Sequence, residues 1–182
     1  MNLLFRISKM YTPDYVKKRE LMNLFRITAS AFKRIVASTT GLSFEECLAE
    51  YAHFTKSEID KAIRSGEDLQ KIQDQLYNSA YEFGKKFRRQ FRISTTRDVM
   101  EASRFLYRIL GIDFQGTELG TIIISKCFFS QYYSPSTCRV ISSLDAGLIA
   151  GLSEGGGMIF SERITEGSKS CKAQLLSKER LQ

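Results

Sequence analysis

Residues 119–129, LGTIIISKCFF, mark the point where the chain changes its periodicity. Three consecutive isoleucines, bounded by glycine before and by the turn-rich SQYYSPS at 130–136 after, make a β-branched run of strand length. Upstream of Gly111 the apolar residues recur at helical spacing instead. The helical signals lie on one side of this boundary and the strand signals on the other, so the chain reads as α+β. Residues 1–111 form the helical part of a single domain over 1–182, and residues 112–182 form a strand-helix-hairpin part. A chain of 182 residues suits one domain with its own core.

In the first part, Thr12-Pro13-Asp14 reads as an N-cap with proline at the first helical position. Leu21, Leu24, Phe25, Phe32 and Ile35 carry that helix toward residue 37. Ser43-x-x-Glu46 is a capping box, and Ser57 with Glu58 and Asp60 restarts a short helix that Gly66 stops. A long helix runs from about Asp68 to Arg92, and Thr95 or Thr96 caps another that ends at Gly111. In the second part, Ser134-Pro135 opens a helix whose stripe is Ile141, Leu144, Leu148, Ile149 and Leu152, until SEGGG breaks it. Two strands, MIFSERI (158–164) and SCKAQLL (170–176), then flank TEGSK, where Gly167 suits a positive φ.

The net charge is +7, and residues 1–111 carry it: 20 Lys and Arg against 13 Asp and Glu, with 7 of each over 112–182. The excess is densest in KKFRRQFR (85–92), where Phe83, Phe87 and Phe91 recur every fourth residue between cations. This helix has an aromatic face and a basic face. The basic face is either a solvated exterior or an electrostatic footprint for nucleic acid. Four cysteines at irregular spacing (Cys47, Cys127, Cys138, Cys171) do not resemble a disulfide framework, and no apolar stretch has the length of a membrane span. Reduced thiols in a cytoplasmic protein are the expectation.

The lone histidine, His53, leaves a catalytic triad or a His-rich metal site without members. Cys138 and Asp145 stand seven residues apart and share a helix face with Ile141. Asp145 is either a solvent-facing carboxylate or a raised-pKa acid, metal ligand or substrate anchor. Ala146, Gly147, Ala150 and Gly151 either let the helix lie close against the sheet or leave volume for a flat ligand. EGGG at 154–157 lacks the Lys-Ser/Thr of a phosphate loop and ends a helix instead of opening one.

The order Cys138, DAGLIAGL, a glycine break, Glu162 on a strand and EGSKSC, with LYNSAYEFGKKF and LGIDF upstream, resembles the 4-vinyl-reductase type of small-molecule-binding domain over roughly residues 70–177. KCFF, a later cysteine, a helical aspartate and ER before EG and C are also similar to the L-2-amino-thiazoline-4-carboxylic acid hydrolase-like proteins. The first resemblance implies an antiparallel sheet with a pocket between sheet and helices. It also implies a zinc site at Cys138, Glu162 and Cys171; a further family cysteine falls at Arg163, which leaves Cys127 to supply the fourth ligand.

Three functions follow as expectations. The first is a module holding a largely apolar ligand between the C-terminal helix and the sheet, on Cys138, Ile141, Asp145, Leu148, Glu162 and Cys171. The second is a hydrolase using Asp145 or Glu162 as base on water, with Cys138 or Cys127 orienting substrate or metal. The third, nucleic-acid binding through 85–92, is the weakest of them. MNLLFRI and LMNLFRI are apolar enough to cover a partner's sheet or groove, which puts a homodimer among the assemblies open to the chain.

Overall fold

The computed structural model describes residues 13–36 and 39–176. Helix α1 spans Asp14–Ala31, begins directly after Pro13, and buries Leu21 and Phe25. Thr12 and the far end of the expected helix near residue 37 lie outside the described residues. The helix stops earlier than its apolar spacing suggests, because Lys33 takes a left-handed φ of 54° and turns the chain. Ile35 is left 96% exposed.

Helix α2, Phe44–Ser65, opens on the Ser43/Glu46 capping box and closes on Gly66 at φ 67°. It runs unbroken through Ser57, so the expected restart there does not occur. Glu58 is engaged sideways instead, accepting from Arg34 Nε at 2.8 Å and Lys61 Nζ at 2.6 Å. Helix α3, Leu69–Phe91, is capped by Asp68, whose side chain accepts from the Lys71 N–H. Helix α4, Thr96–Ile109, carries a second capping box, Thr95 with Asp98.

The sheet follows as two antiparallel hairpins. Strands β1 (Ile112–Gly116), β2 (Thr121–Cys127), β3 (Gly157–Glu162) and β4 (Cys171–Leu176) lie in the order β1-β2-β4-β3. Alternation turns Phe114, Ile122, Ile124, Met158, Cys171 and Ala173 inward and leaves Ile123 and Ile159 exposed on the other face. Between β2 and β3 come a 3₁₀ turn (Phe128–Gln131), helix α5 (Pro135–Ile141) and helix α6 (Ser143–Leu152). The single helix expected over this stretch is interrupted at Ser142, whose hydroxyl donates back to the Arg139 carbonyl at 3.0 Å.

One buried apolar cluster runs from Leu21 through Phe114 and Ile149 to Ala173, joining the helical part to the sheet. This is an α+β architecture. Among the described residues no helix is long and apolar enough to cross a membrane. The basic helix stretch puts Phe83, Phe87 and Phe91 against a second buried cluster that includes Ile93, Val99 and Leu152. Arg88 is bound to Glu154 at 2.8 Å and to the Leu152 carbonyl at 3.0 Å. LMNLFRI spends Leu21 and Phe25 on the chain's own core, and MNLLFRI lies outside the described residues.

The small residues of α6 do meet a close neighbour, but it is α3 and not the sheet. A Cβ at Gly147 would lie 2.2 Å from the Tyr77 carbonyl oxygen, one at Gly151 2.2 Å from that of Tyr81, and one at Gly84 2.5 Å from that of Leu148. The two helices touch backbone to backbone along this seam, which only glycine allows. No flat ligand has room there.

Candidate functional site

The stripe next to the seam on α5 and α6 carries Ile141, Leu144, Asp145 and Leu148, and it borders a cavity of about 160 Å³. Helix α1 contributes Leu24 and Ile27, α3 contributes Ala80 and Phe83, and α4 contributes Tyr107. The sheet closes the remaining side with Ile124, Cys127, Phe160 and Cys171. The cavity therefore lies among all the layers of the fold, wider than the helix-sheet cleft expected from the sequence. Its lining is largely apolar, with a few polar groups, which is the make-up of small-molecule pockets in general.

Asp145 is the acid among those groups whose pKa moves toward neutrality. It is half-buried and lines the cavity. Burial pushes its pKa from 3.8 up to about 6, against the hydrogen bond that Tyr107 Oη donates to Oδ1 at 2.6 Å and the attraction of Arg163. That is the only hydrogen bond to the Asp145 side chain among the described residues. Tyr107 is held well above its usual range by burial and by the adjacent carboxyl. Two further tyrosines line the cavity with their hydroxyls tied off, Tyr51 to Thr28 at 3.0 Å and Tyr133 to Thr55 at 2.6 Å.

The structure brings Cys127, Cys138, Ile141, Asp145, Leu148 and Cys171 to this one cavity and leaves Glu162 out. The reason for Glu162 is a β-bulge. Phe160 pairs with Ala173, but the next paired residue is Glu162, opposite Lys172, so Ser161 is extra. Two successive residues thus face outward, and Glu162 joins Lys172 Nζ in a 2.8 Å ion pair on the solvent side. The alternation resumes one residue late and turns Arg163 inward to the cavity. Strict two-residue alternation from Phe160 would have selected Glu162 and hidden Arg163.

The bulge takes Glu162 out of the expected zinc set. Cys127, Cys138, Glu162 and Cys171 do not converge, and among the described residues no group of three or more His, Cys, Asp or Glu side chains could hold a metal ion. Burial pushes the Cys127 thiol up to about 12 and raises that of Cys171, which accepts the Ile164 N–H at 3.4 Å. Both line the cavity as protonated thiols, neither ready ligands nor ready nucleophiles. His53 is exposed and sits edge-on to Tyr132, ring centroids 5.0 Å apart.

Sequence reasoning missed Tyr107 and Arg163. Tyr107 carried a signal, since a tyrosine on the apolar face of an amphipathic helix needs a partner for its hydroxyl. Arg163 carried one only through the resemblance, which set a ligand cysteine at its position; alternation along the strand pointed to Glu162 instead. Comparison with protein-family models finds no match, and comparison with curated proteins finds none either.

Proposed function

We propose that this protein is a small-molecule-binding module whose ligand is largely apolar and occupies the cavity beneath α5 and α6. The observation that carries the reading is the cavity itself. A well-packed interior leaves few voids larger than a water molecule, and this one has about 160 Å³ lined mostly by hydrocarbon, with an incompletely hydrogen-bonded carboxyl on its wall. An apolar cavity of roughly 150 Å³ stays dry and admits benzene. A single ring or a short branched chain is the matching size.

Toluene is the probe. At a free concentration near 100 times its dissociation constant it should stabilise the fold by about 2.7 kcal/mol. For a chain of this length that raises the melting temperature by roughly 5–10 °C. A melting temperature unmoved by toluene, benzene or indole at saturation would overturn the reading and leave the cavity a packing defect.

A further inference from the structure

Among the described residues Arg163 has one ion pair, a long one to Glu166. Its side chain is 16% exposed, lies over the Phe160 ring at 4.1 Å, and lines the cavity. Its polar neighbours among the described residues are distant ones. Nη1 is 3.9 Å from Cys138 Sγ, and Nε is 3.9 Å from Glu166, which is already held by Arg139 at 2.8 Å. A guanidinium offers five N–H donors in a planar fork, and a carboxylate is the group that takes two of them side by side. Asp145 faces the same cavity, yet no ion pair within 4.0 Å joins it to Arg163.

From this geometry we infer that the ligand is an apolar monocarboxylate, its body in the cavity and its carboxylate on the Arg163 fork. The inference rests on the ligand-pocket reading above and adds the ligand's charge to it. The cavity lining holds one cation, Arg163, beside the acids Asp145 and Glu20, which suits a single negative charge; a phosphate dianion would leave a charge unbalanced. Below about pH 6 the Asp145 carboxyl is protonated and adds no repulsion to an incoming anion, so the carboxylate preference is largest there.

The test compares benzoate with benzamide, its near-isosteric neutral counterpart, and with toluene, by calorimetric titration of the full chain at a pH where benzoate is ionised. Wild type should bind benzoate at least about tenfold tighter than benzamide, the margin of a charge-assisted bidentate contact. Arg163→Gln should erase that preference, and a cooperative thermal unfolding transition shows that the variant is folded. Arg163→Lys should keep the preference in part. Toluene and benzamide binding to wild type with no advantage for benzoate would overturn the carboxylate inference and leave the pocket standing. Binding of none of the three would overturn both, and an unfolded Arg163→Gln leaves the wild-type and Arg163→Lys comparisons to decide.

Discussion

Helix α6 has two neighbouring stripes that use space in opposite ways. Gly147 and Gly151 press against α3 until the backbones touch, whereas Leu144, Asp145 and Leu148, on the adjoining stripe, stand back from their neighbours and leave a cavity. Small side chains close the gap and large ones border the open volume. The lesson is that residue size does not locate a pocket; what sits opposite does. A glycine stripe facing the bare backbone of a neighbouring helix is a seam. A leucine stripe facing a sheet held off by tyrosines and arginine is a wall.

The contrast is most easily broken at the seam. Gly147→Ala should destabilise the fold by at least about 3 kcal/mol in urea unfolding, since its Cβ would meet backbone that cannot yield. Gly147→Leu should do worse, since a longer side chain meets the same backbone. A neutral Gly147→Ala would mean that α3 and α6 stand apart.

On the cavity wall, Asp145→Asn tests burial of charge. The wild-type carboxyl has a folded pKa raised from 3.8 to about 6, so between those values the folded chain holds more protons than the unfolded one. Its contribution is therefore most favourable below pH 3.8 and is lost as pH rises through about 6, a change on the order of 3 kcal/mol. Asn keeps the acceptor for Tyr107 and abolishes the titration. The variant should be the more stable protein above pH 6, with the advantage shrinking as pH falls toward 4. A difference between the two proteins that does not vary over this window would place the Asp145 carboxyl in water.

Leu144→Phe should fill part of the cavity at a cost of about 1 kcal/mol or less, because empty volume accepts the added atoms, and should remove the toluene-induced rise in melting temperature. A cost above about 3 kcal/mol, the upper range for overpacked sites, would show that the volume is not free. Smallest of all, Glu162→Gln should change stability by less than about 1 kcal/mol, as expected for a solvent-exposed ion pair, and leave toluene binding intact. Loss of binding in that variant would place Glu162 at the cavity after all.

Much of this was legible in the sequence because it is local. The Ser43 and Thr95 caps, the Gly66 stop and the strand at Thr121–Cys127 depend on residues a few positions apart. The cavity stripe Ile141, Asp145, Leu148 was legible through helical period, and the break at Ser142 did not spoil it. What escaped depends on partners distant in the chain. The glycine strip names no partner, and only the tertiary fold sets Gly84 of α3 opposite it. The merger of two expected helices into α2 reflects Glu58, whose bond to Arg34 spans 24 positions. Glu162 was chosen over Arg163 because an extra residue in one strand shows only in its pairing with the next.

The bulge at Ser161 puts the sign of the charge facing the cavity under the control of strand register. Glu162 and Arg163 are adjacent and opposite in charge, and one residue of offset decides which of them looks inward. Two descendants of such a chain with identical letters in these columns would present opposite faces to their ligands if one kept the bulge and the other slid flat. Divergence of specificity along that route would leave no substitution at the site to be counted, only a shift in which residue of β4 stands across from Glu162.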